Sequence, residues 1–201
     1  MRILAVSDVE AQYLYDHYTP GKLDGFDLIL SCGDLSREYL EFLVTFANCP
    51  LLYVRGNHDD RFDLAPPEGC ICVEDRIVNI GGVRILGLGG SYRYRHGSCM
   101  YSEKQMRRRI RRLRFQLWRH QGFDILLTHA PARHINDFDS ISHRGFECFV
   151  ELLEKYHPKY FIHGHIHMSY GVHIPQVTVR GDTTIINAYD HVELVYETET
   201  R

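Results

Sequence analysis

The chain has 201 residues, 44% hydrophobic and 24% charged, with a formal net charge of −3. At about 150 residues per domain this predicts one domain over 1–201, and the composition excludes disordered, collagen-like and coiled-coil chains. The acidic balance disfavours a whole-surface nucleic-acid binder. Apolar runs reach only about four residues against the ~20 of a membrane helix, which predicts no membrane partner and a cytoplasmic location.

The elements follow in chain order. A short apolar strand over 3–6 leads into Ser7-Asp8, and a second over 28–30 leads into Ser31-Cys32-Gly33-Asp34. Leu40, Leu43 and Val44 on one face predict a helix over Arg37–Ala47. A third strand, 51–54, runs into Arg55-Gly56-Asn57-His58-Asp59. Arg76–Ile80 and Val83–Leu88 read as a hairpin around Gly81-Gly82. A long helix over 103–120 is predicted from Ser102 and Gln105, which fit a capping box, and from Met106, Ile110, Leu113 and Leu117 along one face. Strand 125–127 then delivers Thr128-His129. After a helix over Glu147–Tyr156, strand 160–162 delivers His163-Gly164-His165-Ile166-His167. A second hairpin, Val177–Arg180 and Thr183–Asn187, and a last strand over 192–196 close the chain. The alternation with interpolated hairpins predicts an α/β fold, a four-layer α/β/β/α sandwich of two mixed β-sheets flanked by helices. Continuous apolar strands suit burial on both faces.

Two features of composition stand apart. The six cysteines, Cys32, Cys49, Cys70, Cys72, Cys99 and Cys148, are scattered and expected as reduced thiols. The 13 histidines are the anomaly, because imidazole is the commonest metal ligand and the usual acid–base group near neutral pH.

Every polar cluster sits directly after a strand, where α/β sheets form their sites. Five strand ends supply Asp8 and Glu10, Asp34, Asn57 and His58, His129, and His165 and His167. Mixed oxygen and nitrogen donors suit first-row divalent ions, and two histidines spaced by two in a turn can reach two neighbouring ions. Taken together, Asp8, Gly33-Asp34, Gly56-Asn57-His58-Asp59, His129 and Gly164-His165-Ile166-His167 resemble the motifs of the calcineurin-like metallophosphoesterases, in their compact bacterial and archaeal phosphodiesterase branch.

The resemblance implies a phosphoesterase acting on phosphodiesters or phosphomonoesters through two divalent ions and a hydroxide held between them. Mn²⁺ is the foremost ion, with Fe, Zn, Ni or Mg as alternatives. Asp8 and His167 would hold the first ion, Asp34 would bridge, and Asn57, His129 and His165 would complete the second. His58 would serve the leaving group, with Asp59 orienting it. One motif departs: Asp8-Val9-Glu10 stands where the family has Asp-x-His, and Glu10 is expected to ligate as a harder oxygen donor. Leu35-Ser36-Arg37-Glu38 after Asp34, and Asp59 in the third motif, separate the chain from the serine/threonine protein phosphatases. A protein phosphatase and a non-catalytic metal-binding interaction module are the alternatives.

The expected partner is a small phosphate ester, a nucleotide-like one included; oligomeric state is open. Arg37, Arg93, Arg95 and His134 are candidates for contacting it, since guanidinium groups bind phosphate in bidentate fashion. The segment 132–144, with Asp137, Asp139 and His143, could line the pocket, as could Tyr92 and Tyr94 beside the arginines. Seven arginines between Arg107 and Arg119 read as a solvated helix face paired with local acids, with a phosphate-rich or nucleic-acid surface as the alternative.

Overall fold

A computed structural model of the chain describes residues 1–170 and 175–197. In chain order the first half comprises β1 (Arg2–Ser7), β2 (Leu28–Ser31), α1 (Arg37–Ala47), β3 (Leu51–Tyr53), β4 (Ile71–Cys72), β5 (Arg76–Ile80), β6 (Val83–Leu88), β7 (Ser91–Tyr92) and β8 (Met100–Tyr101). Then come α2 (Glu103–Arg112), α3 (Arg114–Arg119), β9 (Ile125–Thr128), α4 (Glu147–Tyr156), β10 (Tyr160–His163), β11 (Val177–Arg180), β12 (Thr183–Asn187) and β13 (Asp190–Val195). Among the described residues no helix is long and apolar enough to cross a membrane.

Two large mixed sheets form, in the orders β13-β1-β2-β3-β4 and β11-β12-β10-β9-β6-β5. The central strands are parallel and fully buried, which is why they are apolar without alternation. Antiparallel β13 covers one edge of the first sheet, and β5 and β11 edge the second. Three apolar clusters define the layers. Leu4, Ile29 and Leu51 pack with Tyr39, Leu40 and Leu43 of α1. Ile3, Leu30 and Leu52 meet Ile85, Leu127 and Ile162 between the sheets. Leu86, Leu126 and Phe161 pack against Met106, Leu117 and Phe149 of the outer helices. This is the α/β/β/α sandwich that the element order predicts.

Local chemistry sets the helix ends. The Ser36 hydroxyl accepts from Tyr39 N–H at the start of α1, and Asn48 closes it in the left-handed region at φ 50°. Ser102 and Gln105 form the predicted capping box on α2. Helix α4 lacks a capping side chain of its own; the Glu103 carboxylate accepts from Glu147 and Cys148 N–H instead (3.2 and 2.8 Å).

The predicted continuous helix over 103–120 is corrected to two. The chain tightens at Leu113, whose N–H bonds Ile110 O at 3.0 Å, and α3 restarts at Arg114. The apolar face continues through the break, and Gln116 Oε1 accepts from Ile77 N–H of edge strand β5 (2.9 Å). Gln116 on the restarted helix thus satisfies a sheet edge, a contact absent from the helix's own periodicity.

The arginine run divides as well. Arg109 is 8% exposed: its guanidinium bonds Asp75 (2.8 Å) and Gly89 O (2.8 Å) and lies 4.3 Å from the Tyr101 ring centroid. Arg108, next to it, is exposed and among the described residues has no ion pair. Arg109→Ala is therefore expected to cost about 3 kcal/mol in urea unfolding, because it strands the buried Gly89 carbonyl and removes the cation beside the largely buried Glu74 carboxylate. Arg108→Ala should stay within about 0.5 kcal/mol.

Candidate metal centre

The loops after β1, β2, β3, β9 and β10 meet at one end of the two sheets. Asp8 N–H donates to Gly33 O (3.1 Å) and Gly164 N–H to His129 O (3.0 Å), which ties them pairwise. The approach is close enough to exclude side chains. A Cβ on Gly56 would lie 2.0 Å from Asp34 Oδ1, and one on Gly164 would lie 1.9 Å from Ser7 Oγ. Asp8, Asp34 and His165 adopt left-handed backbone at φ 67°, 57° and 68°. Such conformations are uncommon outside glycine, and Asp, Asn and His tolerate them best.

The backbone then aims the imidazoles. His129 Nδ1–H donates to Cys32 O (2.8 Å), which leaves the Nε2 lone pair facing Asn57 Oδ1 (3.0 Å) and Asp34 Oδ2 (3.4 Å). His165 Nε2–H donates to Ser142 O (2.6 Å), which leaves its Nδ1 lone pair 3.1 Å from His129 Nε2. A carbonyl on the far nitrogen sets the tautomer of each ring. With His129 neutral, four lone pairs, from Asp34, Asn57, His129 and His165, face one another without a proton between them. The ligand atoms of Asp34, His129 and His165 lie within 4.8 Å of one another. Buried acceptors in mutual contact repel, and a cation satisfies all of them at once.

Asp8 and His167 line the same pocket as Asp34. His167 Nε2 is 3.6 Å from Asp8 Oδ1, and both Asp8 oxygens accept from His165 N–H (3.1 and 2.8 Å). Asp34 Oδ1 accepts from His58 N–H (2.7 Å). Asp8, Asp34, Asn57, His58, His165 and His167 line a pocket of about 270 Å³, with Tyr94, Ser142 and His143.

Protonation follows this geometry. Burial pushes His129 down, but the Asp34 carboxylate overrides it and raises the imidazole to about 9. Burial and the charge on His129 push His165 down to about 3. Burial pushes Asp34 up, but His129 outweighs it and holds Asp34 at about 2. Asp8 is likewise held low despite its burial, chiefly by His167. Without an ion, one proton on His129 supplies the positive charge that the acceptors require.

The structure brings Asp8, Asp34, Asn57, His58, His129, His165 and His167 together. Glu10 is exposed and its carboxylate accepts from the Ser36 hydroxyl, outside the pocket lining, because the N-cap of α1 draws it away. Asp59 does not orient His58 through its bonded oxygen. It turns inward, where Oδ2 accepts from Gly56 and Asp34 N–H (2.7 and 2.8 Å) and fastens two loops. Burial, with the nearby Asp34 charge, raises its carboxyl to about 6.

Arg37 is spent on Glu41 and Glu68 away from the pocket. Arg93 clasps Met100 O (3.1 Å) across its own loop. His134 is exposed on a turn closed by Asp137 and is not among the lining residues. Arg95 reaches the site, with Nη2 3.4 Å from His58 Nδ1. In the segment 132–144, His143 lines the pocket, while Asp137 and Asp139 pair with Arg133. One contributor escaped the residue types. The Ser142 carbonyl that aims His165 belongs to the backbone, which carries no residue signal. His163 is buried, among the described residues its Nε2 has no partner, and burial lowers it to about 4.

The sequence pattern of one family, calcineurin-like phosphoesterase, matches residues 1–169. A UPF0046 protein of Caenorhabditis elegans is 27% identical across 94% of this chain and 69% of its own length. Among solved structures, TT1561 of Thermus thermophilus is similar with a TM-score of 0.59 at 14% identity, covering 94% of this chain and 89% of that one. GAP50, described as the anchor in the inner membrane complex of Plasmodium, has a TM-score of 0.56 at 13% identity, covering 93% and 70%. At these identities the two structures bear on the fold alone.

A cation entering the four-acceptor site has to displace the His129 proton. Below about pH 9 binding should therefore release one proton, and affinity should rise about tenfold per pH unit. Calorimetric titration with Mn²⁺ in buffers of different ionisation enthalpy measures that proton directly.

Proposed function

Because the chain belongs to the calcineurin-like phosphoesterase family, we propose that it hydrolyses small phosphate esters, phosphodiesters ahead of monoesters, with two divalent cations, Mn²⁺ foremost. The observation that supports this reading is the convergence of four lone pairs, two of them on His129 and His165 rings whose tautomers are set from behind by Cys32 and Ser142 carbonyls. Asp34, Asn57, His129 and His165 would hold one ion. Asp8 and His167 would hold the other, with Asp34 between the two sets. Cations bound there would supply positive charge to phosphoryl oxygens and acidify water.

The remaining work falls to groups of the pocket wall. His58 is exposed at the rim, and its backbone N–H is held by Asp34 Oδ1. Arg95 donates to its Nδ1, which leaves the ring proton on Nε2, available to a leaving oxygen. Arg95 also adds a fixed positive charge where a phosphate would enter. Tyr94 and His143 close the sides, and a pocket of about 270 Å³ suits a small ester over a folded protein surface.

Hydrolysis of bis(p-nitrophenyl) phosphate with added Mn²⁺ tests the reading. Chelation should abolish turnover, and Asp34→Ala should be the most damaging single change because it removes a ligand from both sets. Full metal content with no turnover on any phosphate ester would instead favour an interaction module. His58→Ala should lower turnover about 10²–10⁴-fold with metal content intact, and by less where the leaving group is as good as p-nitrophenolate.

Glu10 is committed to Ser36. Glu10→Ala is accordingly expected to keep the metal content of the parent by elemental analysis. Loss of one ion per chain would restore Glu10 to the ligand set.

A further inference from the structure

We propose that the groove between α2–α3 and α4, on the outer face of the second sheet, docks an acidic amphipathic helix of a partner protein. The groove holds about 1380 Å³, about five times the volume at the metal centre, and shares no lining residue with it. Ile110, Leu117, Leu152 and Tyr156 lie along it, recessed between the helices. Lys104, Arg111, Arg114, Arg119 and Lys155 flank them, and among the described residues none has an ion pair.

The acids of the groove are already used. Glu103 caps α4 and pairs with Arg107, and Glu151 pairs with Arg107 as well. A chain of net charge −3 has therefore gathered six cations against two carboxylates around one apolar cleft. Like charges so concentrated repel, and what offsets them must be anionic.

The shape selects the class of partner. Aliphatic side chains recessed between helices are out of reach of a lipid surface and give phosphates nothing to bind. They accept the apolar stripe of a third helix, whose acidic face would then meet the cationic rim. Along α4 the lining runs from Cys148 to Tyr156, and along α2–α3 from Glu103 to Gln121. At 1.5 Å per residue the walls fit a helix of roughly 9–18 residues. At the edge stand Trp118 and Phe115, 75% and 63% exposed, with ring centroids 5.8 Å apart. Exposed aromatics of this size beside arginine are the typical anchors of an interface. Their rings are inclined at 36°, so they offer no parallel slot for a nucleobase.

Trp118 is the sole tryptophan, so intrinsic fluorescence reports on this edge without labelling. The probe is an 18-residue peptide with leucine or phenylalanine at helical spacing and glutamate elsewhere, titrated into the full chain. Its comparison is a scrambled isomer of equal charge and composition. The expected result is a saturable blue shift of Trp118 emission with the amphipathic peptide. Binding should be at least about tenfold weaker for the isomer, for Arg111→Glu/Arg114→Glu and for Lys155→Glu.

Both variants change exposed positions. Unchanged circular dichroism, and unchanged metal-dependent hydrolysis where the parent has it, separate lost docking from lost fold. Equal binding of the two peptides would overturn the proposal in favour of plain charge attraction. Tighter binding of an oligothymidylate or of phosphatidylserine vesicles would overturn it in favour of nucleic acid or membrane. No shift up to about 1 mM peptide would overturn it outright.

Discussion

Four electron-pair donors pointed at one another, with no proton donor among them once His129 is neutral, form an arrangement that a folded chain ordinarily avoids. Buried acceptors without partners cost free energy, and mutual repulsion adds to that cost. Here the surroundings over-determine it. Cys32 and Ser142 carbonyls hold the rings from behind, Asp34 is gripped through Oδ1 by His58 N–H, and three site residues stay in left-handed backbone. The destabilised arrangement is what would give a cation, or in its place a proton on His129, a reason to bind.

The sandwich makes this possible by packing two mixed sheets face to face, so that the carboxyl ends of their parallel strands meet. Apolar strands buried on both faces hold the loops rigidly, and the loops interlock through glycines too close for a Cβ. Asp59 shows how much of the polar chemistry is structural. Its carboxylate accepts two backbone N–H groups from different loops, and so sets the Asp34 and Gly56 turns against each other. Ser36 does the same between Glu10 and α1, donating to one and accepting from the other.

The outer helices carry a different logic. Arg109 is drawn inward by Asp75 and the Gly89 carbonyl and belongs to the core, while Arg107 bridges α2 to α4 through Glu103 and Glu151. Among the described residues the remaining arginines of the run turn outward without acids to meet them, beside the exposed rings of Phe115 and Trp118. Residues of one type within one helical run thus serve packing, bracing and surface charge, according to which way each faces.

The amino-acid sequence by itself determined the layers and the donor set. Short apolar runs ending in Asp8, Asp34, Asn57, His129 and His165 can be read in one dimension, because burial on both strand faces and donor chemistry are properties of residue type. Capping at Ser102 was legible for the same reason: its partners are three residues away. What only the tertiary structure decided depends on groups distant in sequence or on backbone atoms common to all residues. The break at Leu113 follows from Ile77 N–H on another element, the loss of Glu10 from the pocket follows from Ser36, and the aim of His165 follows from a carbonyl. Residue type states what a side chain can bind; which partner it meets is settled by geometry that many distant contacts share.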